Sequence, residues 1–145
     1  MARRNVYQTN YERMVNLGLI SKCGKAEEAL TLTSSGYMDL VCEIIPDDMN
    51  VPESIMSDSY TIGLAHYYNS NGDRIADPEV QIVVNPTAKT AIAICFEMPA
   101  CGIYRPAFVG NGKYNQVLFN DHNSFLRTWL NNLKDQGFSY IHKAA

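Results

Sequence analysis

The sequence predicts an α+β fold: an antiparallel sheet of five or six strands, with an N-terminal and a C-terminal helix packed on its buried face. Three observations carry this expectation. Apolar residues near both ends repeat with the period of a helix, those between them alternate with the period of a strand, and turn residues separate the strand-like runs.

Tyr7, Tyr11, Met14 and Val15 fall at offsets of 0, 4, 7 and 8, which collects them on one stripe of a first helix ending near Gly18. From Glu28 to Pro46 the period changes. Leu30 and Leu32 alternate with Thr31 and Thr33, and Met38, Leu40, Cys42 and Ile44 alternate with Asp39, Val41 and Glu43. Ser34, Ser35 and Gly36 turn the chain between these runs, so the segment reads as a β-hairpin with one buried face. Pro46 to Asp58 has two prolines, four acids and an asparagine, the composition of a mobile surface loop. A third strand over Thr61 to Tyr68 puts Ile62, Leu64, His66 and Tyr68 on one face. Asn69 to Pro78 is dense in turn residues, and Val80 to Val84 resumes the strand pattern. Thr90 to Met98 sets Ala93, Cys95 and Glu97 opposite Ile92, Ile94, Phe96 and Met98, and is expected at the sheet centre. Ile103 to Phe108 is an edge strand, because Pro106 cannot donate to a ladder. Phe125, Leu126, Trp129, Leu130 and Leu133 then define a terminal helix from about Asp121 to Gln136. Asp121 or Asn123 would cap it, Lys134 would meet its dipole and Gly137 would terminate it.

A chain of 145 residues, 46% apolar and 19% charged, fits one domain over residues 1–145 and buries enough core to need no metal or disulfide for stability. Twelve basic against fifteen acidic residues, net −3, give no general field for phosphate backbones, so direct nucleic-acid binding is not expected. The longest apolar run, Ala91 to Phe96, is far below the ~18–20 residues of a membrane span. No hydrophobic stretch follows the basic Arg3-Arg4 start, which points to the cytoplasm. Cys23, Cys42, Cys95 and Cys101 lack the paired spacing of zinc or redox motifs, so all four are expected reduced and no cofactor is implied.

Candidate functional residues concentrate in His66-Tyr67-Tyr68, Asn71-Gly72-Asp73 and Asp77-Pro78-Glu79. If a hairpin made His66, Asp73, Asp77 and Glu79 converge, they would hold a divalent metal that activates water. That would make the protein a metal-dependent hydrolase acting on a nucleotide or phosphodiester. The competing reading has the acids capping turns and His66 hydrogen-bonded on an apolar face. His122 would lie in the first turn of the terminal helix, whose dipole disfavours its protonation. Neither a nucleophile elbow nor a phosphate loop is present, so no catalytic residue is assigned. Nine tyrosines favour a contact surface, since tyrosine gives a large rigid area at low entropic cost. The candidate binding residues are Tyr67, Tyr68, Asp73, Asp77, Glu79, Tyr104 and Arg105. Within this set, Tyr67, Tyr104 and Arg105 would join Phe108 and Tyr114 in an aromatic and basic patch.

The order Asn10-Tyr11-Glu12-Arg13-Met14, His66-Tyr67-Tyr68, Asp77-Pro78-Glu79-Val80, Tyr104-Arg105-Pro106 and Asn123-Ser124-Phe125-Leu126-Arg127-Thr128-Trp129-Leu130 resembles the bacterial YqiB-like family of uncharacterised proteins. It is also similar to a related plasmid and phage family of unknown function, in which His-Tyr-Tyr, Asn-Gly-Asp and Asp-Pro-Glu precede a Phe-Leu-x-x-Trp-Leu helix. The resemblance implies no activity and transfers no catalytic residue. Its mobile-element flavour, with the absence of catalytic motifs, implies a non-catalytic binding protein. A phage- or plasmid-encoded inhibitor of a host defence complex, such as an anti-CRISPR, is the expected form. Its partner would be a protein or nucleoprotein complex with a basic surface, met by the His66 to Glu79 hairpin, the Asp47 to Asp58 acidic loop, or both.

Overall fold

The computed structural model describes residues 4–142. Helix α1 spans Val6–Leu17 and starts in a capping box: Asn5 Oδ1 accepts from the Gln8 N–H at 2.9 Å, and Gln8 Oε1 accepts from the Asn5 N–H at 3.1 Å. It stops at Gly18, whose φ of 86° ends the helix in the left-handed region. Six strands follow: β1 (Ala29–Leu32), β2 (Asp39–Ile45), β3 (Tyr60–Ser70), β4 (Asp73–Asn85), β5 (Thr90–Met98) and β6 (Ile103–Pro106). They pair antiparallel in chain order, giving the expected α+β sheet. A short helix α2 (Glu53–Met56) precedes β3. A two-stranded ribbon, β7 (Phe108–Gly110) and β8 (Lys113–Tyr114), leads into the long helix α3 (Gln116–Asp135).

Helices α1 and α3 run parallel on one face of the sheet. Tyr7 packs on Phe119, the Asn10 amide donates to the Asn123 carbonyl, and Arg13 donates to the Arg127 carbonyl at 2.8 Å. Their apolar stripes, with Met14, Leu17, Leu126, Leu130 and Leu133, close over Leu40, Leu64, Ile82 and Ala93 of the sheet. Buried Asn123 ties α3 to β5, accepting from the Ala93 N–H at 2.7 Å and donating to the Ala93 carbonyl at 3.0 Å. A second cluster on the other face joins Val51, Val83, Ile94, Cys95, Ala107 and Phe108. It covers only part of that face.

Several sequence expectations need correction. The stretch from Asn69 to Pro78 is mostly strand: the turn is Asn71-Gly72 alone, because both adopt the positive φ of a two-residue hairpin turn (53° and 85°). The sheet centre is β3 and β4, while β5 stands next to the edge. A bulge at Ile94 on β5, opposite the Gln81–Ile82 step of β4, shifts the register, so Ile94 and Cys95 both join the second cluster instead of alternating. Met38 and Ile44 are exposed while Val41 is buried. Helix α3 begins five residues early, at an Asn115 cap that accepts from the Leu118 N–H at 3.0 Å, so Asp121 and Asn123 cap nothing. The Pro46 to Asp58 segment holds α2, buries Val51, and has Asp47 accepting from the Thr61 hydroxyl at 2.8 Å.

Candidate functional site

The uncovered part of the second sheet face carries the most distinctive chemistry of the molecule. Register builds it. Ala65 pairs with Glu79, Glu79 with Glu97 and Glu97 with Tyr104, so two glutamates and a tyrosine stand side by side across β4, β5 and β6. In the neighbouring row, Glu43 pairs with Gly63 and Gly63 with Gln81. Gly63 leaves the space that the Glu79 carboxyl occupies: a Cβ there would stand 3.1 Å from Glu79 Oε1. Glu79 therefore lies over the glycine, with Glu97 beside it and Glu43 one strand beyond.

Like charges directly opposite in a strand pair repel. Burial, a side-chain hydrogen bond shared with Glu97, and the charges of Glu97 and Glu43 together push the Glu79 carboxyl up to about 7 from its ordinary 4.5. Glu79 thus holds a proton that it donates to Glu97 in mildly acidic solution, and the face gains one full charge as the pH rises past neutrality.

Two tyrosines flank the carboxyls. Tyr67 has its hydroxyl pKa raised by burial and by Glu79 and Glu43, and Arg74 lies over its ring at 4.1 Å. Tyr104 is 61% exposed, with Asp48 among the charges that raise its hydroxyl pKa after burial. The arrangement is an acidic strip with aromatic edges, suited to receive cationic side chains.

The other candidate residues go elsewhere. Tyr68, the neighbour of Tyr67 on β3, points to the opposite face by strand alternation. Arg105 pairs with Phe96, which packs on the helix-side core, so it sits on the face opposite Tyr104. Phe108 is buried in the second cluster beneath Tyr114, so the aromatic and basic patch does not assemble. Asp73 is exposed at the hairpin tip, and Asp77 stands with Pro78 in a bulge opposite His66.

His66 itself faces the helices. Its Nδ1 lies 3.1 Å from the Met38 carbonyl, and its ring packs 5.6 Å from both Trp129 and Phe138. The set His66, Asp73, Asp77 and Glu79 is therefore split between two faces and a turn. Among the described residues, no group of three or more His, Cys, Asp and Glu side chains is placed to hold a metal ion. The sheet separates the proposed ligands, which corrects the expectation that His66, Asp73, Asp77 and Glu79 converge on a metal. His122 lies in the second turn of α3, not the first. Its pKa is lowered chiefly by burial, and its Nε2 donates to the Arg105 carbonyl at 2.7 Å.

A family model described as a domain of unknown function, DUF6908, matches residues 10–139. The chain belongs to the DUF6908 family. No curated protein and no solved structure matches it. The DUF6908 match takes in α1 from Asn10 onward, the whole of α3, all six strands and the whole acidic strip, so the strip lies within the region that defines the family. Among the described residues of this DUF6908 chain, no helix is long and apolar enough to cross a membrane.

Sequence reading missed Glu43, Glu97 and Gly63. A glutamate inside each of two apolar strands was the available signal, since a charge in such a run must find a partner or an open face.

Proposed function

We propose that this DUF6908 chain is a non-catalytic binding protein of the cytoplasm, docking its acidic, tyrosine-edged sheet face on a basic surface of a protein or nucleoprotein complex. One observation carries the reading: Glu43, Glu79 and Glu97 are held together on an open face, although their mutual repulsion opposes folding. Strain of this kind is expected where a surface serves binding rather than stability. Tyrosines at the edge of a charged strip supply the contact area that charge alone does not.

In its finer form, the partner is a host defence complex and the chain is a phage- or plasmid-encoded inhibitor of it, an anti-CRISPR among the possible types. CRISPR effectors hold nucleic acid in a positively charged channel, which is the kind of surface an acidic strip would occlude. The resemblance to plasmid and phage proteins supports this form.

Affinity purification from the host with the wild-type chain, a Glu97→Arg/Tyr104→Ala variant and an Asp135→Arg control on α3 tests the proposal. One specific complex is expected with wild type and control, released by moderate salt and absent with the open-face variant. In cells with an active defence system, wild type and control should restore entry of a targeted plasmid. Recovery of no specific complex, or equal recovery with all three chains, would overturn the proposal.

A further inference from the structure

The six-stranded sheet ends in two edge strands, β1 and β6, and they are guarded unequally. An edge offers its unpaired N–H and C=O groups to any extended chain, and a charged side chain, a proline or a bulge on the strand discourages such pairing. Strand β6 carries Arg105 and Pro106. Strand β1, Ala29-Leu30-Thr31-Leu32, carries none of these and pairs with β2 in unbroken register. The Ile44 N–H donates to the Glu28 carbonyl at 3.0 Å, so by antiparallel alternation Leu30 and Leu32 exchange bonds with β2 while Ala29 and Thr31 turn their N–H and C=O groups outward. Both residues are exposed, and among the described residues their backbone groups bond no other segment.

The side chains beside this edge select what it receives. Leu30 and Leu32 point into the core, whereas Ala29 and Thr31 share the open face with Asp39 and Glu43 of β2. Ala29 stands opposite Glu43, and its small methyl leaves that carboxylate within reach of a long side chain on an added strand, about 10 Å away at two strand spacings. Asp39 sits four residues from Glu43, roughly 13 Å along the same face. Arg74, over the ring of the Tyr67 that pairs with Asp39, is the cation on this side. Two carboxylates against one guanidinium leave the edge negative, and among the described residues neither acid makes an ion pair. Exposed Glu28, just before β1, adds to the charge. A second copy of the chain is the poorer occupant: self-pairing about Thr31 would put Asp39 of one copy and Glu43 of the other on one face, between chains of net charge −3 each.

We propose that β1 receives an extended basic peptide segment as a seventh, antiparallel strand, with arginines four residues apart reaching Glu43 and Asp39 and the residue midway between them opposite Thr31. The edge shares Glu43 with the docking strip but does not rest on that proposal.

The probe is a dye-labelled, amidated Arg-Val-Thr-Val-Arg peptide, titrated with the full chain and followed by fluorescence anisotropy. Saturable one-to-one binding is expected. Thr31→Pro, which removes an outward N–H without touching the bonds to β2, should weaken it at least fivefold and Glu43→Gln at least threefold, with Asp121→Asn on α3 within twofold of wild type. In antiparallel pairing the threonine amide of the peptide faces β1 and the valine amides face away, so N-methylation at the threonine should abolish binding and N-methylation at the valines should not. That arm decides alone if circular dichroism shows Thr31→Pro unfolded. Absence of saturable binding overturns the proposal, as do equal effects of the two methylation patterns. Loss through Glu97→Arg/Tyr104→Ala instead of Thr31→Pro puts the peptide on the acidic strip, which overturns the edge proposal and leaves the docking proposal standing. A dimer of the free chain in sedimentation velocity that Thr31→Pro dissociates assigns the edge to a second copy and overturns it too.

Discussion

Replacing Glu79 by glutamine should make the protein more stable, and only at neutral to alkaline pH. The folded chain holds the Glu79 proton up to about 7, against an ordinary 4.5, so between these values folding takes up a proton. Stability from this group is greatest below about 4.5 and is lost as the pH rises through 7, where the carboxyl must ionise beside Glu97 and Glu43. The full shift corresponds to about 3 kcal/mol at 1.36 kcal/mol per unit. Glu79 is only half-buried, and solvent screening reduces this to about 1–2 kcal/mol. Glutamine keeps the shape and a donor toward Glu97 without the charge. Melting of wild type and Glu79→Gln, followed by circular dichroism from pH 5 to pH 8, should show curves that nearly meet at pH 5. At pH 8 they should separate by about 4–8 °C, at roughly 4 °C per kcal/mol for a chain of this size. Parallel curves, or a less stable variant at pH 8, would refute the account of the carboxyl cluster. The same variant should bind the basic partner more weakly, since the charge that costs stability is the one offered to the partner.

Asn123→Leu removes three hydrogen bonds, the two to Ala93 of β5 buried, and should cost about 2–4 kcal/mol in urea denaturation; a loss under 1 kcal/mol would contradict the role given to this residue. Gly18→Ala drives a methyl into the Tyr140 carbonyl oxygen at a positive φ, so a loss of about 2 kcal/mol or more is expected, together with amide exchange at Tyr140. Of the four free thiols, Cys42 and Cys95 are buried and their pKa values are pushed up to about 12, chiefly by burial, whereas Cys23 and Cys101 are exposed. A thiol reagent at pH 8 should therefore label two sites rapidly and all four only after denaturation; rapid labelling of four in the native protein would argue against the packing around β2 and β5.

The elements that sequence made legible are those whose evidence is local. Helix α1 shows its apolar stripe and its terminating Gly18, the end of α3 shows Lys134 and Gly137, and β1 to β4 show alternation or an Asn-Gly turn. The start of α3 was hidden because Asp121 reads as the cap of the helix, although Gln116 and Asn120 before it bond each other one turn apart on the helix surface. Glu79 was visible as a candidate, but its neighbours were not.

Composition and periodicity alone determined an α+β chain of antiparallel strands between two helices, with acids and tyrosines in excess of any catalytic motif. Tertiary structure decided which of those residues meet. Alternation assigns faces only while pairing stays regular, and the bulges at Asp77-Pro78 and near Ile94 each reset which residues lie opposite one another. Those two irregularities set Glu79 against Glu97 and leave His66 on the far side of the sheet, so of the four residues that spell a metal site in one dimension only Glu79 enters the acidic strip in three.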